Sequence, residues 1–224
     1  RQLNITITDG LWSMCCFKAR FDCAHNLHLP TKSGIIRKTL IKEINMIKLP
    51  KMYTANSIKA MHEKLNLDAQ TVMLLYDYFD AFSNFYEMLP LKDAYKIIKK
   101  QNDELKLTEE GFIAFSEIAR HEEHFYFILG SEETDKNRKK SKPMERTIVN
   151  ESLVLIDEIF YKMMVASQKG KPLFVPEKNK LLRYVDDSFI EENEYTTALY
   201  DFFVNNMKLG ESDAWDTVGD CILE

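Results

Sequence analysis

Three side chains in one short stretch have the types and spacing of a metal centre. Glu117, His121 and His124 stand at i, i+4 and i+7. On a continuous helix that spacing puts one carboxylate and two imidazoles on a single face. Such a face presents ligands to zinc or iron and would serve a metal-dependent hydrolase. Two features weigh against it. The run His-Glu-Glu-His lacks the histidine separation of a zincin helix, and no fourth ligand is visible nearby. The ordinary reading is a polar helix end, with His121 hydrogen-bonded against an aromatic body. A second cluster, Cys15, Cys16, Cys23, His25 and His28, offers neither a C-x2-C nor an H-x3-H pair. Cysteine at helical spacing is far more often core. Tyr184-Val185-Asp186-Asp187 matches the carboxylate pair of a polymerase hairpin, but 181–189 has helical spacing. Leu155-Ile156-Asp157-Glu158 lacks the phosphate-binding glycine loop that would complete it, and no G-x-S-x-G occurs. No catalytic residue and no cofactor are expected.

Charge gives a stronger signal than any motif. From Arg1 to His62 there are ten Lys/Arg and three Asp/Glu, a net of +7; the remainder carries twenty against thirty-two, a net of −12. A basic head can meet a polyanion and an acidic body cannot. Lys32, Arg37, Lys38 and Lys42 lie off the apolar stripe Ile36–Leu40–Ile44–Ile47. They are the residues placed to neutralise phosphates with release of condensed counterions. The plainer alternative is a solvated basic face on a helical pair.

The elements that must position these residues are mostly helices. With 7 Gly and 6 Pro in 224 residues, turn breakers are few. Thr54 reads as an N-cap before Ile58, Met61 and Leu65. Asp68 caps the strongest helix, whose apolar positions run Val72, Leu75, Phe79, Phe82, Phe85, Tyr86 and Leu89. The aromatic stripe with Tyr76 and Tyr78 reads as core rather than as a ligand cavity. Pro90 ends that helix and opens another. Thr108, followed by two glutamates, starts the next. Phe125 to Leu129 is either a helix end or a strand. Residues 130–143 lack any large apolar side chain until their end and read as an exposed linker. Leu153–Met164, Lys178–Phe189 and Glu194–Met207 read as further helices. A last short one holds Trp215. No apolar run approaches the ~18 residues of a membrane span. With no basic-then-apolar leader and four cysteines that make no disulfide framework, reduced thiols in a cytoplasmic protein are expected.

Two stretches carry resemblances. AHNLHLPTKSGIIRKTLIKEI, residues 24–44, resembles the second half of a SAP-like or Rho-N-terminal-like helix–extended–helix unit through Ala24, Leu27, Leu29, Lys38, Leu40, Ile41 and Ile44. It departs from that pattern at Pro30 and in the extra length before Lys38. The resemblance implies nucleic-acid contact by the basic helix. LYDYFDAFSNFYEMLPLKDAYKIIKKQN, IARHEEHFYFILG and KGKPLFVPEKNKLLRYVDD, within residues 70–205, resemble an uncharacterised, mostly helical family of low-GC bacteria. Some of its members add a zinc-binding SEC-C tail, absent here. That resemblance implies a helical fold and no particular activity.

The expected architecture is mainly α: a basic helical head (1–52) on an acidic helical body (53–224). The expected function is that of a non-enzymatic intracellular protein, a nucleic-acid-associated or regulatory adaptor that meets DNA or RNA through the head. The rival is a helical module that binds only protein; the hydrolase comes third.

Overall fold

The computed structural model describes residues 47–135, 139–155 and 158–223. Lys32, Arg37, Lys38 and Lys42, the cysteines before residue 24, His25, His28 and the 24–44 resemblance lie outside the described residues. Ten helices appear among those described, and the fold is mostly helical.

Local signals set the helix starts. Thr54 caps α1 (Ala55–His62) by accepting from Ser57 N–H. Asp68 caps α2 (Ala69–Tyr86), its carboxylate accepting from Thr71 N–H at 2.8 Å and from the Thr71 hydroxyl at 2.7 Å. Thr108 caps α4 (Glu109–Ala119) through Gly111 N–H. These side-chain oxygens satisfy donors that a helix start leaves orphaned.

α2 stops earlier than its apolar stripe. Glu87 takes φ 58°, a left-handed conformation that no helix continues through. Leu89 therefore lies in a strand, β1 (Met88–Pro90), and Pro90 leads into α3 (Leu91–Gln101). The open alternative at Phe125–Leu129 resolves as strand β2 (Tyr126–Leu129). A third strand, β3 (Thr147–Asn150), lies between the other two in an antiparallel sheet of order β1–β3–β2. Its register sets Leu89 against Ile148 and Ile148 against Ile128; one step along, Val149 faces Met88 and Phe127. Pro90 sits on an edge strand, where its missing N–H costs nothing.

Strand alternation divides the interior. Leu89, Tyr126, Ile128 and Ile148 join a core built on α2, α3 and α4, in which Leu75, Tyr78, Phe79, Phe82, Phe112 and Phe115 are fully buried. Met88, Phe127, Leu129 and Val149 point the other way. They pack with Leu153 of α6 (Glu151–Leu155) and with Tyr161 and Met164 of α7 (Glu158–Gln168).

The expected linker is only partly exposed. Gly130, Glu133 and Ser141 are buried, and 131–134 form the single turn α5 (Ser131–Thr134). Ser131 N–H donates to Ser141 Oγ at 2.7 Å, and Ser141 N–H donates to Glu132 at 2.8 Å. Polar anchors thus do what apolar ones do elsewhere, while Lys139 and Lys140 stay exposed. The described end of the expected head, residues 47–52, is hydrogen-bonded to the body. Lys48 N–H donates to Glu133 O, and Lys51 O accepts from His121 at 2.7 Å, so 47–52 belong to the body.

The division falls at Asp187. Up to it, the expected long helix over 178–189 is a short α8 (Lys178–Leu181) followed by a 3-10 turn, Leu182–Val185, packed on α2. After it, α9 (Glu194–Met207) and α10 (Glu211–Leu223) pair through Phe203, Ala214 and Val218, with Tyr200 stacked on Trp215 at 4.7 Å. No helix among the described residues is long and apolar enough to cross a membrane.

Candidate functional site

Glu117, His121 and His124 do not share one helix face, and the ordinary reading of a polar helix end with a hydrogen-bonded His121 describes them. α4 ends at Ala119, with Arg120 as its C-cap, so His121 and His124 lie beyond the helix and the i+7 register is lost. His121 is buried and engaged at both ring nitrogens: Nδ1 donates to Lys51 O, and Nε2 lies 3.2 Å from Glu117. Tyr53 stacks on its ring at 4.0 Å. His124 turns elsewhere, to Glu122 at 3.3 Å, with its ring parallel to Tyr126. Among the described residues, no group of three or more His, Cys, Asp or Glu side chains is arranged to hold a metal ion.

Glu117 instead serves a structural network. Arg146, 3% exposed, donates to it; Arg120, 8% exposed, donates to Glu133 and, through Nε, to Ile128 O at 3.2 Å. Burial alone would raise the Glu117 carboxyl. Arg146 outweighs that, helped by His121 and Arg120, and holds it below the usual glutamate range. Charges paired this way tie Glu133 and Arg146 to Arg120 and Glu117 at the end of α4.

The side chains with chemistry to spare lie along a different line, one face of α2. Tyr76, Asp80, Ser83 and Asn84 follow one another at helical spacing beside the apolar stripe. At the first turn of this seam, Tyr76 donates to Glu122, whose carboxylate also faces His124; His62 Nε2 lies 3.2 Å from the Tyr76 oxygen and 3.8 Å from Glu122. Burial and the Glu122 carboxylate push the Tyr76 phenol far above its ordinary value, so it keeps its proton and remains a donor.

Tyr126 enters the seam from β2. Its ring lies on His124 at 4.8 Å and meets Phe79 edge-on at 5.9 Å. The residue is 2% exposed, yet its hydroxyl has no hydrogen-bond partner. Burial raises its pKa strongly, and Asp80, Tyr76 and Glu122 add to the shift, so the hydroxyl ends in a field of carboxylates. Asp80 is the pivot. Burial raises its carboxyl, with His124 opposing. From Asp80 the seam opens into a cleft of about 250 Å³ lined by Asp80, Ser83, Asn84, Phe125, Val185, Asp186 and Asp187. Three residues of the Tyr184–Asp187 motif, both carboxylates among them, thus reach a common cleft with Asp80, although on a 3-10 turn and its end rather than on a hairpin.

Sequence reasoning placed Tyr76 in a core stripe and left Asp80 unassigned. The available signal was the interruption itself: polar residues at one helical spacing within an otherwise apolar helix. Tyr126 and Glu122 carry no such signal, because strand pairing and a loop bring them in. Compared with family models, with curated proteins and with solved structures, the chain finds no match in any of the three.

Proposed function

We propose that the protein is a non-enzymatic intracellular adaptor, whose basic N-terminal stretch contacts nucleic acid and whose acidic body docks a protein. The observation that carries this reading is the charge partition, +7 over residues 1–62 and −12 over the rest. A polyanion is attracted to the first and repelled by the second. The resemblance of residues 24–44 to a nucleic-acid-binding helical unit supports the same assignment, with Lys32, Arg37, Lys38 and Lys42 as phosphate contacts. On the body, Glu117, Arg120, His121, Glu133 and Arg146 are joined to one another and to the backbone by hydrogen bonds, with Arg146 Nε left buried and without a partner; such an arrangement serves to build structure. The test is binding of duplex DNA and of structured RNA, read by fluorescence anisotropy across a salt series. Counterion release predicts a steep log–log slope, and replacing Arg37 and Lys38 by Ala shrinks it by roughly two units for all sequences alike. Absence of binding near roughly 50 mM salt, where weak electrostatic association is strongest, sinks the nucleic-acid half.

The rival, a module that binds only protein, is favoured by one specific observation. The cleft on α2 carries three aspartates and no cationic side chain in its lining. If nucleic acid fails to bind, this acidic face remains the functional surface.

A further inference from the structure

We propose that His121, together with His62, forms an acid-engaged latch that holds α1 and the residues leading into it on the body, and that lets go as the imidazoles lose their protons. Hydrogen-bond chemistry fixes the state that closes it. Lys51 O, 2.7 Å from His121 Nδ1, is a carbonyl that only accepts. The Glu117 carboxylate, 3.2 Å from Nε2, is kept ionised by Arg146 and so only accepts as well. A neutral imidazole carries one N–H and serves one of the two; its other nitrogen then sets a lone pair against an acceptor. Only the imidazolium donates to both. The surrounding charges agree. Arg120 and Arg146 oppose a cation at His121, but they stand among three carboxylates, Glu117, Glu132 and Glu133. One negative charge is left over, and a protonated His121 neutralises it. His121 is 7% exposed, so solvent screens this little. Tyr53 lies flat on the ring at 4.0 Å, a face that favours a cation.

The latch matters because little else holds α1. Ile58 is the one residue of that helix that is buried. Its lead-in is tied at Lys51 O by His121 Nδ1 and at Tyr53 N–H by His121 O. Its far end is tied by His62, whose Nε2 lies 3.2 Å from the Tyr76 oxygen and 3.8 Å from Glu122. Tyr76 donates its own proton to Glu122, which leaves its oxygen to accept from His62. Glu122 and the C-terminal end of α1 favour a charge on His62. Lys59 in the same last turn opposes it, as does a charge on His124, which shares Glu122 and is offset in turn by Asp80. Each imidazolium gains its partners on folding, so its contribution is complete at acid pH and is lost as pH rises. The latched residues end the basic stretch 1–62, and the latch acts whatever that stretch binds.

The experiment follows amide hydrogen exchange of the full chain at about pH 5.5 and about pH 8.5, either side of the ordinary histidine value. Protection of the α1 amides, Ile58 to His62, is taken relative to that of α2, which cancels the intrinsic pH dependence of exchange. The expected result is a fall in relative α1 protection of about tenfold or more at the higher pH, the factor of one charge-assisted hydrogen bond. Proton–nitrogen spectra of the rings should show two N–H groups on His121 at the lower pH. His121→Phe keeps an aromatic ring against Tyr53 and should leave α1 at its high-pH protection throughout. His62→Gln, at a partly exposed position, should reduce the fall and leave α2 unaffected. Unchanged relative protection, a rise at the higher pH, a bare His121 nitrogen at the lower pH, or a fall that persists in full in either variant would overturn the proposal. Should His121→Phe fail to fold, His62→Gln and the ring spectrum of the wild type decide it.

Discussion

Replacing Tyr126 by Phe removes one oxygen and nothing else, which makes it the sharpest probe of the seam. The ring contacts that hold Tyr126, parallel to His124 at 4.8 Å and edge-on to Phe79 at 5.9 Å, survive in phenylalanine. What disappears is a buried hydroxyl without a partner. Leaving such a group unsatisfied costs roughly 1–3 kcal/mol, far more than one oxygen adds in packing. Tyr126→Phe is therefore expected to stabilise the unliganded protein, by at least about 1 kcal/mol. Most buried substitutions do the opposite, so the sign alone is informative. The assay is equilibrium urea unfolding, with protection of the β2 and β3 amides from hydrogen exchange reporting the unit that contains the site. At a slope of about 2 kcal/mol/M, 1 kcal/mol moves the midpoint up by about 0.5 M with the slope unchanged. A loss of 1 kcal/mol or more would refute the reasoning. It would mean that the hydroxyl is hydrogen-bonded in the folded protein and that the seam has no unmet donor or acceptor.

Other expectations follow from the same contacts. Phe82 is fully buried between Tyr78 and Tyr86, so Phe82→Ala should cost about 3–5 kcal/mol in urea unfolding; a loss under about 1 kcal/mol would remove it from the core. Arg120→Ala should cost a similar 3–5 kcal/mol, because it strands the buried Glu133 carboxylate, and Arg120→Ala with Glu133→Gln should recover part of that loss. Glu117 has a folded pKa below its unfolded value of 4.5, so its contribution is complete above that pH and is lost as pH falls through the lower folded value; urea midpoints compared between wild type and Glu117→Gln should converge on acidification. Asp80 runs the other way. Its folded pKa is raised, its charge is unfavourable to folding at neutral pH, and Asp80→Asn should leave stability unchanged or improve it by the same assay.

Legibility in the sequence followed the range of the interactions. Thr54, Asp68 and Thr108 announce their helices because a cap is settled within three residues, and all three caps form as expected. The bounds of the Glu194–Met207 helix were equally readable, set by the periodicity of its own side chains. The sheet was not. β1 has three residues and β2 and β3 four each, too short for alternation to register, and β3 joins strands far from it in the chain. Missing the sheet meant missing the site. Leu89 looked like the last turn of α2, whereas Glu87 breaks that helix and frees Met88–Pro90 to pair. Tyr126 meets Phe79 of α2 only because β2 pairs with β3 and brings it there. The alternative of a metal face on Glu117, His121 and His124 falls for a related reason: a spacing argument holds only as far as the helix does, and α4 ends at Ala119, before either histidine. Conversely, the Tyr184–Asp187 motif is set aside for want of a hairpin, yet its carboxylates line a cleft with a residue that the motif does not contain. Asp80 lies more than a hundred residues earlier and lines the same cleft because the Leu182–Val185 turn packs on α2, held there by Asn84 donating to Tyr184 O at 2.9 Å. Chemistry in this chain is assembled across elements, and a motif read along one element can miss it in either direction.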